Sequence, residues 1–256
     1  MNQISAAMGK SLKEFLRERM VVFWTYAVPL FFLAVLPVMY SGVPGKVIPT
    51  LKGGLTLTMV TFLVMTAGQS SLAGSIAMDR ERGLYLKMSS MPVSPWKEGV
   101  GRILAVWAFM LLGAVLLLAA GSFCGAEFDG GSTEILKAVG FSLLTAVASV
   151  GVGLIISSLV KGESAATHTG VALTLLTYFL GGMAMPYGNL PEVLKAFARL
   201  HPVSSANASM IYLLEGEMFM GYNPLNAAQT ASTVLLTGLV FAVGLVMYSR
   251  LCWRKR

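Results

Sequence analysis

Apolar residues along this chain come in long unbroken blocks, with most of the charge gathered between them. Six blocks stand out, at 20–40, 53–78, 103–123, 138–160, 165–185 and 230–250. Each approaches the roughly 20 residues that a helix needs to cross hydrocarbon at about 1.5 Å per residue. Unpaired backbone groups are too costly in lipid, so a spanning segment is either a helix or a strand of a closed barrel. The blocks lack the period-two alternation of a barrel strand, which excludes the barrel. The pattern predicts an all-α membrane protein with six transmembrane helices, forming one membrane domain over 1–256.

The segments between the blocks carry their own patterns. Over 4–19, Ile4, Met8, Leu12, Phe15 and Leu16 recur at helical spacing, with Lys10, Lys13, Glu14, Arg17 and Glu18 on the other side. That is an amphipathic helix suited to the inner membrane interface. Ser41 to Gly45 reads as a short outer turn. After the second block comes Asp79-Arg80-Glu81-Arg82-Gly83, where Gly83 ends the helix because glycine readily takes the left-handed cap conformation. A short helix over 84–91 follows, Pro92 breaks it, and Ser94-Pro95 restarts a helix with Ser as N-cap and Pro at the first helical position. This predicts a crosswise helix between two spans. Between the fifth and sixth blocks, pieces at 190–200 and 204–214 have helical patterning, interrupted by His201-Pro202. Both are too brief to span, and they predict a re-entrant hairpin at the outer face.

Composition agrees with a membrane protein: 55% of the residues are apolar and 12% charged, which no soluble domain matches. The net charge of +7 raises the possibility of nucleic-acid binding, but its placement answers otherwise. With both termini in the cytoplasm, fourteen Lys and Arg lie on cytoplasmic segments and five on external ones. This is the positive-inside bias, and it predicts both termini inside the cytoplasmic membrane of a prokaryote, with no nucleic-acid partner and some attraction to lipid headgroups. Cys124 and Cys252 fall on opposite sides of this topology, so they imply no disulfide.

Candidate chemistry is sparse. Gly9-Lys10-Ser11 is only the tail of a phosphate-loop pattern, with Ile4 where its first glycine belongs. His168 and His201 form no metal-binding pair, and no catalytic pair is evident, so neither an enzyme nor a metal site is expected. The acidic residues, Asp79, Glu81 and Glu98 among them, fall at or outside the ends of the blocks. Ion-driven carriers keep ionisable groups at the midplane to bind the coupling ion, so the energy for any transport comes from elsewhere. The polar face of the second block, which includes Thr58, Thr61, Gln69 and Ser75, suits helix packing in the first instance.

The run Glu81-x-Gly83 followed after eight residues by Pro92-Val93-Ser94 resembles the cytoplasmic coupling loop of ABC-exporter permeases of the type-2 family. The stretch Gly181 to Glu192 with His201-Pro202 resembles that family's outer segment between its last two spans, and Leu12 to Glu18 with Phe23 and Pro29 resembles its opening. Leu84-Tyr85 departs from the Thr and acidic residue that many relatives carry after the glycine.

The resemblance implies a separate ABC ATPase subunit that binds ATP and magnesium, with no cofactor in this chain. It implies two permease copies, identical or related, with two ATPases. It assigns docking on the ATPase to Glu81, Arg82, Gly83, Leu84, Tyr85, Lys87, Met91 and Pro92. It also places the substrate route between the second and fifth spans, where helical spacing offers Phe62, Met65, Thr66 and Gln69 facing Leu173, Thr174, Thr177 and Phe179. Such a mixed apolar and weakly polar lining suits a hydrophobic or amphipathic solute such as a drug, antibiotic or antimicrobial peptide. Export of a lipid-linked polysaccharide and a non-transporting sensor or scaffold role are the alternatives.

Overall fold

The computed structural model describes residues 2–39, 48–128, 130–184, 187–216 and 222–253, and every regular element among them is helical. In chain order these are α1 (Gln3–Arg17), α2 (Arg19–Met39), α3 (Ile48–Glu81), α4 (Leu84–Ser89), α5 (Pro95–Phe123), α6 (Ser132–Leu159), α7 (Glu163–Leu180), α8 (Glu192–Leu200), α9 (Pro202–Glu215) and α10 (Ala227–Cys252). A single 3₁₀ turn, Tyr187–Asn189, precedes α8. The outer turn expected at 41–45, and the expected span ends Tyr40 and Met185, lie outside the described residues.

Four of the described helices, α3, α5, α6 and α10, are long and apolar enough to cross a membrane. A fifth candidate is the α1–α2 pair, bent by 72° at Glu18. α7 occupies the fifth predicted block, with 18 residues that include Glu163 and four threonines. At 34 residues, α3 is about 50 Å long, more than the roughly 30 Å of hydrocarbon. Outward faces agree with lipid contact: Leu111 on α5, Leu136 on α6 and Leu235 on α10 are each about two-thirds exposed or more.

α1 packs lengthwise on α5, so its apolar stripe meets protein. Met8, Leu12 and Phe15 join Ile103, Val106 and Phe109 in one cluster. The fit is close, because a Cβ at Gly101 would collide with Ala7 and the Ile4 carbonyl of α1. α6 forms a central column against α3, α9 and α10.

α3 is not a uniform α-helix. Thr66–Ser71 forms a π turn at its middle, where α6 and α7 both come closest. Gly153 of α6 meets the Gly68 carbonyl there, and Gly170 of α7 meets the Gln69 carbonyl, each so closely that no side chain fits. Small residues let membrane helices approach backbone to backbone, and here they close three helices around the π turn.

The two short helices expected at 190–200 and 204–214 are present as α8 and α9, with His201 between them and Pro202 at the first position of α9. α9 is buried along nearly its whole length, against α3, α6 and α10. α8 lies outside it, with Val193 and Leu200 exposed.

Candidate functional site

The predicted short helix after the second span is present, but it ends at Ser89 and not at Met91, with a turn over 90–92 before Pro95. Gly83 has φ +70° and begins a six-residue helix, α4, and Pro95 opens α5. Ser94 stands at the N-cap position, although its hydroxyl makes no capping bond. Leu86, Met91 and Trp96 are each more than half exposed around this turn, with Glu81, Arg82, Lys87 and Pro92 also exposed. The result is an apolar patch with charges at its rim, away from the bundle. Gly83 and Leu84 are half-buried.

Tyr85 points the other way. It is 3% exposed, stacked edge-on against Trp253 at 5.1 Å and against Tyr248 at 6.1 Å. Burial pushes its phenol well above the ordinary value, so it stays a neutral hydrogen-bonding group. Its hydroxyl lies 3.3 Å from that of Tyr248, which donates a hydrogen bond to Glu98 Oε2. Glu98 Oε1 accepts from Arg102 Nε at 3.0 Å and Nη2 at 2.8 Å. Arg102 further donates to Ser75 Oγ at 3.1 Å and to Asp79 Oδ2, which also receives Lys10 Nζ at 3.0 Å. Lys10 in turn pairs with Glu14 at 3.2 Å.

This chain of contacts runs from α4 through α10, α5 and α3 to α1. Asp79, Glu98 and Arg102, at 4%, 4% and 1% exposed, are buried groups where the sequence suggested only span ends. Sequence reasoning missed this network. A signal was available, since Glu98 and Arg102 are spaced i,i+4 just before an apolar block. What the sequence does not show is that Asp79, twenty-three residues earlier, reaches the same guanidinium.

Other bonds fasten the same loop to the rest of the bundle. Gln3 Nε2 donates to the Pro92 carbonyl at 2.8 Å, tying the end of the loop to α1. Arg80 donates to the carbonyls of Ser157, Ser158 and Val160, at the C-terminus of α6 where the helix dipole favours a cation. Glu81 Oε2 accepts from the Glu163 backbone N–H at 3.2 Å, at the N-terminus of α7. The α4 loop is thus joined by side chains to α1, α6, α7 and α10.

A second feature is a cavity of about 550 Å³ between α2, α3 and α7. Its walls are largely apolar, from Val21, Trp24, Val28, Phe62, Val171 and Leu175. Thr66, Thr174 and His168 add weakly polar groups, and Glu18 and Glu163 stand at one end. Of the residues expected along a route, Phe62, Thr66 and Thr174 line this cavity. Phe62 is held edge-on by Tyr178 at 5.3 Å. Gln69 is 1% exposed and accepts from Thr174 Oγ1 at 3.3 Å, a contact between α3 and α7 behind the wall. Met65 and Thr177 are buried in the bundle, while Leu173 and Phe179 are exposed on its outside.

The sequence model of the ABC-2 type transporter family matches residues 2–214. A search among curated proteins gave no match to the chain. The matched range takes in α1, the α4 loop, the cavity helices, α8 and α9 as far as Leu214.

Proposed function

The chain belongs to the ABC-2 type transporter family and is a membrane permease subunit of an ABC transporter, and from that premise we propose that it exports hydrophobic or amphipathic solutes across the cytoplasmic membrane. The family implies an ABC ATPase partner, which would bind ATP and magnesium. In this reading the subunit spans six times with both termini inside, and two permease copies work with two ATPases. The observation that carries the choice of solute is the cavity between α2, α3 and α7, whose walls are apolar and whose polar groups are mostly hydroxyls. Such a lining takes an apolar body and offers little to a highly hydroxylated sugar chain.

Coupling follows from how α4 is held. Leu86, Met91 and Trp96 offer an apolar surface for a groove on the ATPase, and Glu81, Arg82 and Lys87 rim it. Closure of two ATPases would displace α4, and Tyr85 would pass that displacement to α10 and α5 through Tyr248 and Glu98. Glu81 would carry it to α7 through the Glu163 amide. α3 and α7 meet at the π turn beside the cavity, so a shift in either changes the cavity shape.

The test is export of a panel of apolar and amphipathic dyes from vesicles holding the permease and its ATPase. Phe62→Ala enlarges the cavity wall and is expected to reorder the preference among dyes by about tenfold, the scale of a few methylenes in an apolar pocket. A loss uniform across the panel and proportional to complex yield would reduce Phe62 to a packing residue and overturn the reading.

A further inference from the structure

The cavity between α2, α3 and α7 is apolar along its walls and acidic at one end. Glu18 sits at the bend between α1 and α2, and Glu163 is the first residue of α7. Neither carboxylate has an ion-pair partner among the described residues, whereas Asp79, Glu98 and Glu14 nearby are all paired. Burial, then the neighbouring Glu163 and Glu14, hold the Glu18 carboxyl above its ordinary value, against the opposing pull of Arg82. Two carboxylates are therefore kept near one another with no ion pair among the described residues, and Arg82 offsets them only from a distance. The same cavity holds a second kind of unmet group. Thr25 and Ser71, at 3% and 9% exposed, line it with hydroxyls that have no hydrogen-bond partner among the described residues. Buried hydroxyls usually find a partner, and groups left open inside a cavity are places for a ligand's polar atoms.

We propose that this cavity selects lipophilic cations, with the charged head of the solute between Glu18 and Glu163 and its apolar body against Trp24, Val28 and Phe62. The proposal rests on the reading of the cavity as part of the export route, and it names the substrate class. Trp24 adds an attraction of its own, since the face of an indole favours a cation within about 6 Å. The acidic end lies beside Glu81, whose carboxylate contacts the first residue of α7, so the cavity end that would hold the cation adjoins the α4 loop. A cation arriving from the inner leaflet meets these carboxylates first.

The experiment compares two ions of the same shape and opposite charge, tetraphenylphosphonium and tetraphenylborate. Each is titrated into the permease–ATPase complex in nanodiscs of neutral lipid, with binding read from quenching of tryptophan fluorescence. The wild-type complex is expected to prefer the phosphonium. Glu18→Gln with Glu163→Gln should weaken phosphonium binding about tenfold, on the scale of two partly exposed charge pairs, and leave or improve borate binding. If the double variant binds both ions as the wild type does, or loses both equally, the proposal is overturned, whatever Phe62→Ala does to the dye ranking. If the double variant loses the phosphonium preference but Phe62→Ala leaves the ranking unchanged, the cation site stands and the export route runs elsewhere. Size-exclusion chromatography of the double variant with its ATPase checks assembly. Should it fail to assemble, Glu163→Gln alone, at an exposed helix start, serves as the test and should lose about threefold.

Discussion

The two ends of the bundle solve the same problem with different chemistry. At the α4 end, separate elements are joined by charges: Arg102 lies between Glu98 and Asp79, with Lys10 and Tyr248 completing the set. At the α8–α9 end, the side-chain bonds that join α9 to α10 are neutral, although Glu215 at the end of α9 is also buried. Gln229 Nε2 donates to Ser205 Oγ at 3.0 Å, Ser205 and Thr233 share a hydrogen bond of 2.7 Å, and Tyr222 lies 3.4 Å from the same amide. An exposed cation adds to them, Arg199, which sits over the rings of Tyr187 and Tyr222 at 5.4 and 4.9 Å. Ionic contacts cost more to bury and more to break, so the α4 end is held rigidly or not at all. Neutral hydroxyl and amide contacts exchange at lower cost.

The largest test of this difference is which end faces the cytoplasm, and its outcome is all or none. Cys124 is exposed at the α8–α9 end and should react with an impermeant maleimide added outside intact cells. With Cys124→Ala in place, a cysteine introduced by Met91→Cys should react only after the membrane is opened, because Met91 is 55% exposed at the opposite end. Cys252 is buried at 6% and makes a poor probe. Labelling of both positions from one side would end the comparison as drawn.

Next in size is the cost of breaking each network. Arg102→Met leaves Asp79 and Glu98 buried without their guanidinium, and loss of about 3–5 kcal/mol is expected. Ser205→Ala removes one neutral partner of Gln229 and should cost about 1–3 kcal/mol. Thermal unfolding in a single detergent, with the two variants side by side, measures the gap. Equal losses would show that the ends do not differ in kind.

The smallest effect sharpens the α8–α9 end. Burial pushes the His201 imidazole down to about 4, from an ordinary value of 6.5. Its neutral Nδ1 accepts from the Ser204 backbone N–H at 3.4 Å, at the start of α9. The unfolded chain therefore binds more protons between these two values, so the contribution is complete above 6.5 and declines as pH falls toward 4. At pH 5.5 a loss of roughly 1 kcal/mol is expected. His201→Asn should flatten the change in melting temperature between pH 7 and 5.5, and an unchanged slope would refute the assignment.

Much of this architecture is legible in the chain itself, for definite reasons. Long apolar blocks allow few alternatives to membrane helices, since lipid forbids unsatisfied backbone. Gly83 and Pro92–Pro95 mark α4 through local backbone chemistry that needs no tertiary context. His201-Pro202 likewise marks the junction of α8 and α9. These signals are local, and local signals survive in a sequence.

The tertiary structure alone decided what depends on distant residues meeting. The apolar stripe of α1, which by itself suits a lipid surface equally well, lies on α5 because Gly101 leaves room for it. Tyr85 sits within the exposed docking segment by sequence, yet it turns inward because Tyr248 and Trp253, more than 160 residues later, provide its pocket. Gln69 lies outside the cavity and bonds to Thr174, 105 residues later, which lines it with Phe62 and Thr66. Helical periodicity places a residue on a face, but which neighbour that face meets depends on packing among all the helices. The pairing of Arg102 with Asp79 has the same origin: a buried charge can be afforded only where folding delivers its partners.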